Sequence, residues 1–246
     1  MEDREIFVNG TSYLVKPYRD YGKNAIARVK NNIIYIKIPT HWGREFADKI
    51  ATKLETRMVT AIAKGRCINS SPSFYHLNKV TVFGVDYKIE KTETNAKINR
   101  VRIIQNIIKL KIYNKLSDHE KKEVTDNLVR RALSRELLPL IISKVSDMNN
   151  RRFQSELGKV SIRQQSSRWG SCSLNNNISI NFSLLFLPNE ILEYVIVHEL
   201  SHTKVRNHSK KFWQVVENVM PDFIEKRRWL KKEARKELVR MFNSKN

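Results

Sequence analysis

The chain has 246 residues, 41% of them hydrophobic, enough to build a core without disulfide staples. Its 46 Lys and Arg against 25 Asp and Glu give a formal charge of +21, which favours acidic partners and repels basic ones. No apolar run approaches the roughly 18 residues of a membrane span, the start Met1-Glu2-Asp3-Arg4-Glu5 lacks a signal-peptide pattern, and Cys67 and Cys172 are the only cysteines. A cytoplasmic protein with reduced thiols and no membrane partner is expected.

Ile6-Phe7-Val8 and Tyr13-Leu14-Val15 flank Asn9-Gly10, a pair that tolerates the two positive φ angles of a type I′ hairpin turn. A second hairpin is predicted from Ala25–Val29 and Ile33–Ile38, turned by Asn31-Asn32. After Trp42-Gly43, apolar Phe46, Ile50, Leu54, Met58 and Ile62 recur every four residues and predict a helix ending near Gly65.

The pattern returns at an offset of 74 residues: Gly10 meets Gly84, Tyr13 meets Tyr87, Arg28 meets Arg102, and Asn32-Ile33-Ile34 meets Asn106-Ile107-Ile108. The expected organisation is an N-terminal hairpin and helix lobe at 1–69 repeated at 78–148, a linker at 70–77 containing Ser70-Ser71-Pro72-Ser73, and a catalytic domain spanning 78–246.

The second helix opens with Ser117 and Glu120 in capping-box spacing and is expected to bend or break at Pro139, then resume to Met148. Val160–Arg163 and Ile178–Asn181 are predicted to pair as antiparallel strands, with Arg168–Cys172 and a turn at Asn175-Asn176-Asn177 between them. Pro188-Asn189 starts the next helix, and two or three helices close the chain, with Leu230, Ala234, Leu238 and Met241 as an apolar stripe. The fold class is α+β.

The chemistry concentrates at His198-Glu199-Leu200-Ser201-His202. Residues four apart lie one above the other on a helix, so His198 and His202 can share one tetrahedral zinc while Glu199 turns toward its open position. Zinc lowers the pKa of its water from about 15.7 to near 7, and an adjacent carboxylate can take the departing proton. A third ligand is required, and His208 is the candidate, with Asn207 supplying a left-handed turn and Ser209 capping a helix in which Phe212, Trp213, Val216 and Val219 pack beneath the site. The chain is thus expected to hold one zinc ion.

Arg168-Trp169-Gly170-Ser171-Cys172-Ser173, then Ile178–Asn181, Tyr194–His202 and Asn207–Trp213 together resemble the YgjP-like metallopeptidases, most closely from Val160 to Leu230. The resemblance implies a compact zincin fold related to the SprT and WLM proteases, with zinc ligands at His198, His202 and His208 and a catalytic glutamate at Glu199. Arg168, Trp169, Gly170 and Ser171 are candidate substrate-binding residues, Arg168 doubling as a candidate oxyanion stabiliser. Cys172, His41, His76 and His119 are not expected to bind metal.

The expected activity is zinc-dependent hydrolysis of a protein or peptide, bound in extended form, by Glu-assisted attack of a zinc-bound water. SprT-like and WLM relatives that act on DNA-attached proteins, together with the basic run Lys226-Arg227-Arg228, Lys231-Lys232 and Arg235-Lys236, extend this to nucleic-acid-associated substrates. The alternative is a basic nucleic-acid-binding protein with a structural zinc and no proteolysis.

Overall fold

The structure, a computed structural model, describes residues 2–30, 32–63, 73–165 and 167–243. The expected helix end at Gly65, Cys67, Asn31 and residues 70–72 of the expected linker lie outside the described residues. Contacts divide the chain into two compact units, Met1–Ser70 and Ser71–Asn246.

In the first unit, β1 (Arg4–Val8), β2 (Thr11–Asp20), β3 (Ile26–Lys30) and β4 (Ile33–Pro39) form a sheet in the order β1-β2-β4-β3. Both hairpins are antiparallel, and their turns carry the positive φ that the sequence calls for, 49° at Asn9, 75° at Gly10 and 60° at Asn32. The hairpins join through a parallel pairing of β2 with β4, starting at Leu14 opposite Ile33.

The helix α1 (Arg44–Ala63) covers one sheet face. Its buried line is Ala47, Ala51 and Ile62, whereas Phe46 is half exposed and packs edge-on against Trp42. Small alanines let the helix approach the sheet, so Ile50, Leu54 and Met58 flank the contact rather than centre it.

The second unit opens with Phe74, which is buried and whose backbone N–H donates to Asp126 Oδ1 (2.6 Å). Its first sheet comprises β5 (Lys79–Val82), β6 (Val85–Thr94), β7 (Arg100–Ile104) and β8 (Ile107–Tyr113), in the order β5-β6-β8-β7. The spans of β6, β7 and β8 are those of β2, β3 and β4 displaced by 74 residues, and Lys88 opposite Ile107 repeats the register of Leu14 opposite Ile33. The turn at Phe83-Gly84 likewise repeats the left-handed pair, with Phe83 in the place of Asn9.

The helix α2 (Asp118–Met148) runs unbroken for 31 residues with Pro139 inside it, so the expected interruption does not occur. Leu133, Leu137, Ile141 and Val145 are buried along one face while Pro139 is exposed, so the carbonyl that loses its partner faces water. Ser117 and Glu120 form the capping box. A π-helical turn, Asn149–Phe153, ends at Gln154 in the left-handed region and redirects the chain.

A small sheet follows: β9 (Val160–Arg163), β10 (Gly170–Cys172) and β11 (Ile178–Asn181), in the order β10-β11-β9. The expected antiparallel pairing of Val160–Arg163 with Ile178–Asn181 is corrected here, because β9 runs parallel to β11. The short β10 takes the antiparallel partnership with β11, so the chain reverses twice between β9 and β11. A 3-10 turn, Phe182–Phe186, then leads into α3 (Asn189–Ser201), and α4 (Lys210–Val219), α5 (Phe223–Lys232) and α6 (Ala234–Asn243) complete the unit. A continuous core runs from Phe74 to Phe242 and includes the apolar residues of α3 from Ile191 to Leu200.

Candidate metal centre and active site

α3 carries Ile191, Leu192, Val195, Ile196, Val197 and Leu200 into the core, which fixes the rotation of the helix and aims His198 and His202 to one side. The chain leaves the helix at His202 and returns at His208. Asn207 does not supply a left-handed turn, since no residue from His202 to Ser209 has positive φ; its Oδ1 instead accepts from the Ser209 N–H at 3.3 Å. Ser209 occupies the N-cap of α4, but its hydroxyl makes no capping bond.

One ligand atom from each of His198, His202 and His208 lies within 4.8 Å of the others. Nε2 of His198 and Nε2 of His208 are 3.1 Å apart. Two nitrogens on one tetrahedral zinc, at about 2.0–2.1 Å from it, stand roughly 3.4 Å apart, so the spacing fits a shared cation. Nδ1 of His202 lies 3.2 Å from the Val205 carbonyl, which favours the proton on that nitrogen and leaves Nε2 its lone pair.

The surroundings favour the neutral, ligating form of His198 and His202. Burial pushes the His198 imidazole down to about 3, with the rings of His202 and His208 and the Arg227 cation adding to the effect. Burial also lowers His202 against the opposing influence of the Val205 carbonyl. Beneath them Phe212, fully buried, sets its ring 5.0, 4.5 and 4.8 Å from the centroids of His198, His202 and His208. Trp213 stacks on His208 and on Phe223, and the Arg227 guanidinium lies over its ring at 4.3 Å. Three imidazoles with no thiolate or carboxylate among them suit zinc and leave a fourth position for solvent or substrate.

Glu199 is 5% exposed, and its carboxyl is raised to about 7 by burial, with Arg168 pulling the other way. It faces the backbone of β10. A cleft of about 510 Å³ takes in this arrangement and is lined also by Arg168 to Cys172, Tyr194, Val195, Arg206 and Leu230. Arg168 is exposed, Trp169 half buried against the core and Gly170 buried. Asn181, itself buried, holds the approach to this stretch: its Nδ2 donates to the carbonyls of Gln165 and Arg168, both at 2.7 Å.

Cys172 is a free thiol at the cleft wall, outside the three-histidine group and raised by burial. His41, His76 and His119 are exposed and outside that group. Sequence reasoning missed Asn181, Arg206, Tyr194 and Leu230. Tyr194 lies one turn before His198 on the same helix face, a signal that was available; its phenol is pushed up to about 12 by burial. The others come from segments whose proximity has no local signature.

The YgjP-like metallopeptidase domain matches residues 23–233. The chain belongs to the YgjP-like metallopeptidase family. It is a metallopeptidase by family, as the motifs around His198 and Gly170 predicted. Among solved structures, the metallopeptidase zymogen of Pyrococcus abyssi abylysin is 26% identical, over 38% of this chain and 94% of its own, with a TM-score of 0.35. The zymogen of Methanocaldococcus jannaschii jannalysin is 23% identical, over 35% of this YgjP-like chain and 95% of its own, with a TM-score of 0.30. No curated protein matches. Among the described residues of this YgjP-like protein, no helix is long and apolar enough to cross a membrane.

Proposed function

We propose that this YgjP-like protein is a zinc endopeptidase that hydrolyses an extended peptide with Glu199 as its general base. The observation that carries the reading is the convergence of His198, His202 and His208 beside a buried carboxylate at the head of one cleft. Residues 78–246 are proposed as the peptidase domain, with 1–69 as an accessory lobe and 70–77 as the connection. A cytoplasmic location is part of the same reading.

One zinc per chain is proposed on His198, His202 and His208; when bound, it supplies the acidity of its water and positive charge against the scissile carbonyl. Glu199, with its carboxyl near neutrality, takes a proton from the attacking water as the new C–O bond forms and delivers it to the amine as the C–N bond breaks. β10 is an edge strand, and the Gly170–Cys172 backbone offers ladder bonds to an extended chain. Arg168, Trp169, Gly170 and Ser171 line the substrate path, with Arg168 the candidate cation for the negative charge that develops.

Glu199→Gln tests the reading. Zinc content should stay at one per chain while casein cleavage falls by at least about a hundredfold; undiminished cleavage refutes Glu199 as the base. The charge supports one extension, action on nucleic-acid-associated proteins, since Arg228, Lys231 and Lys232 are exposed on α5. DNA should then stimulate cleavage and rising salt should remove the stimulation. Salt-sensitive DNA binding by a zinc-loaded wild type that cleaves nothing would instead favour a nucleic-acid-binding protein with a structural zinc.

A further inference from the structure

Arg206 lies two residues before His208, in the irregular segment that joins α3 to α4. Its guanidinium reaches across to the turn between β10 and β11. Nη1 donates to the Ser173 carbonyl at 2.7 Å and approaches Cys172 Sγ at 3.5 Å, while Nη2 donates to the Leu174 carbonyl at 3.0 Å and to Asn176 Oδ1 at 2.6 Å. The fork geometry of arginine allows one side chain to meet so many acceptors.

The turn it grips is itself closely hydrogen-bonded. Ser173 N–H donates to the Asn177 carbonyl and Asn176 N–H to the Ser173 carbonyl, both at 3.0 Å, Asn177 N–H donates to Ser173 Oγ, Asn176 adopts a left-handed conformation, and its Nδ2 donates to the Glu156 carbonyl at 2.7 Å. The segment it holds carries His208 into α4. Thr203 is tied to Ser155 at 2.8 Å and His202 to Val205, but the exposed His208 ring has no hydrogen bond except to His198 among the described residues.

We infer that Arg206 is a positioning residue, tying the segment that bears His208 to the β10–β11 turn so that the third imidazole and the edge strand are held as one piece. The inference rests on the reading of His198, His202 and His208 as a cation site. Its consequence is a link between the metal site and the wall along which substrate lies, through a residue that borders the cleft but is not one of the three imidazoles.

The sign of the effect separates this role from simple electrostatics. The Arg206 guanidinium is a positive charge two residues from His208, so removing that charge alone should make a divalent cation bind more tightly. Loss of a positioning contact should make it bind more weakly. The experiment titrates Co(II) into metal-free wild type, Arg206→Ala, Arg206→Lys and a His208→Ala control, following the visible absorption of the tetrahedral ion and the thermal midpoint of each metal-free protein.

The expected result is a Kd for Co(II) raised about 10- to 100-fold in Arg206→Ala. A comparable rise is expected in Arg206→Lys, which keeps the charge but loses the fork, with the metal-free midpoints unchanged. Equal or tighter binding in both variants overturns the inference and leaves the cation site standing. A fall in the metal-free midpoint that tracks the affinity loss also overturns it, because Arg206 would then support the fold in general. Should Arg206→Ala fail to fold, Arg206→Lys carries the same test. A wild type that binds no Co(II) removes both the cation site and this inference.

Discussion

A Cβ placed on Gly170 would lie 2.6 Å from Oε1 and 2.7 Å from Cγ of Glu199. The missing side chain at 170 is therefore the space that the buried carboxylate occupies, and β10 and α3 come into close contact there. Gly170→Ala should push Glu199 out of line with the cleft while leaving the three imidazoles in place. Cleavage of an unstructured protein should fall about 10- to 100-fold through kcat, with zinc stoichiometry unchanged by metal analysis. Full activity in this variant would show that Glu199 tolerates the shift.

Glu199 also makes the metal-free protein's stability depend on pH. Its folded value of about 7 lies above the ordinary 4.5, so between those values the folded state holds a proton that the unfolded state has released. Stability from this group is therefore full below about pH 4.5, declines as pH rises, and has levelled off above about pH 7. Glu199→Gln lacks that slope and should gain on the wild type by roughly 3 kcal/mol across the window. Urea melts of both metal-free proteins at several pH values would measure the difference, and parallel curves would contradict it.

Trp213 is positioned to report on the metal centre, its ring centroid being 5.8 Å from both His198 and His208. Adding Co(II) to the metal-free protein should quench tryptophan emission, and Trp213→Phe should remove most of that response. A variant that quenches as fully as the wild type would assign the signal to another tryptophan.

The long helix α2 depends at its start on Ser117, which accepts from the Glu120 N–H while Glu120 Oε2 accepts from the Ser117 N–H at 2.9 Å. Ser117→Ala should cost about 1 kcal/mol, a fall of about 2–4 °C in thermal midpoint for a unit of this size. Calorimetry would resolve it, and activity at low temperature should be unaffected.

Local patterns carried much of this protein in one dimension. Asn9-Gly10 dictates a left-handed turn, the four-residue step from His198 to His202 places two rings on one helix face, and the 74-residue offset from Gly10 to Gly84 marks a duplicated unit, because each depends on backbone preference or periodicity alone. Periodicity also misled where it met competing forces: Pro139 stays inside a continuous helix because the buried face at Leu137 and Ile141 holds it there, and Phe46 yields the core to Ala47 and Ala51.

What tertiary structure alone decided is which distant segments touch. The parallel pairing of β9 with β11, the contact of Gly170 with Glu199, the grip of Arg206 on the turn at Ser173 and the seat of Phe212 under all three imidazoles join residues with no shared period. The sequence determined the ring and carboxylate chemistry at His198, Glu199, His202 and His208. Folding determined how tightly that chemistry is enclosed, since burial is a property of the packed chain and not of any one stretch of it.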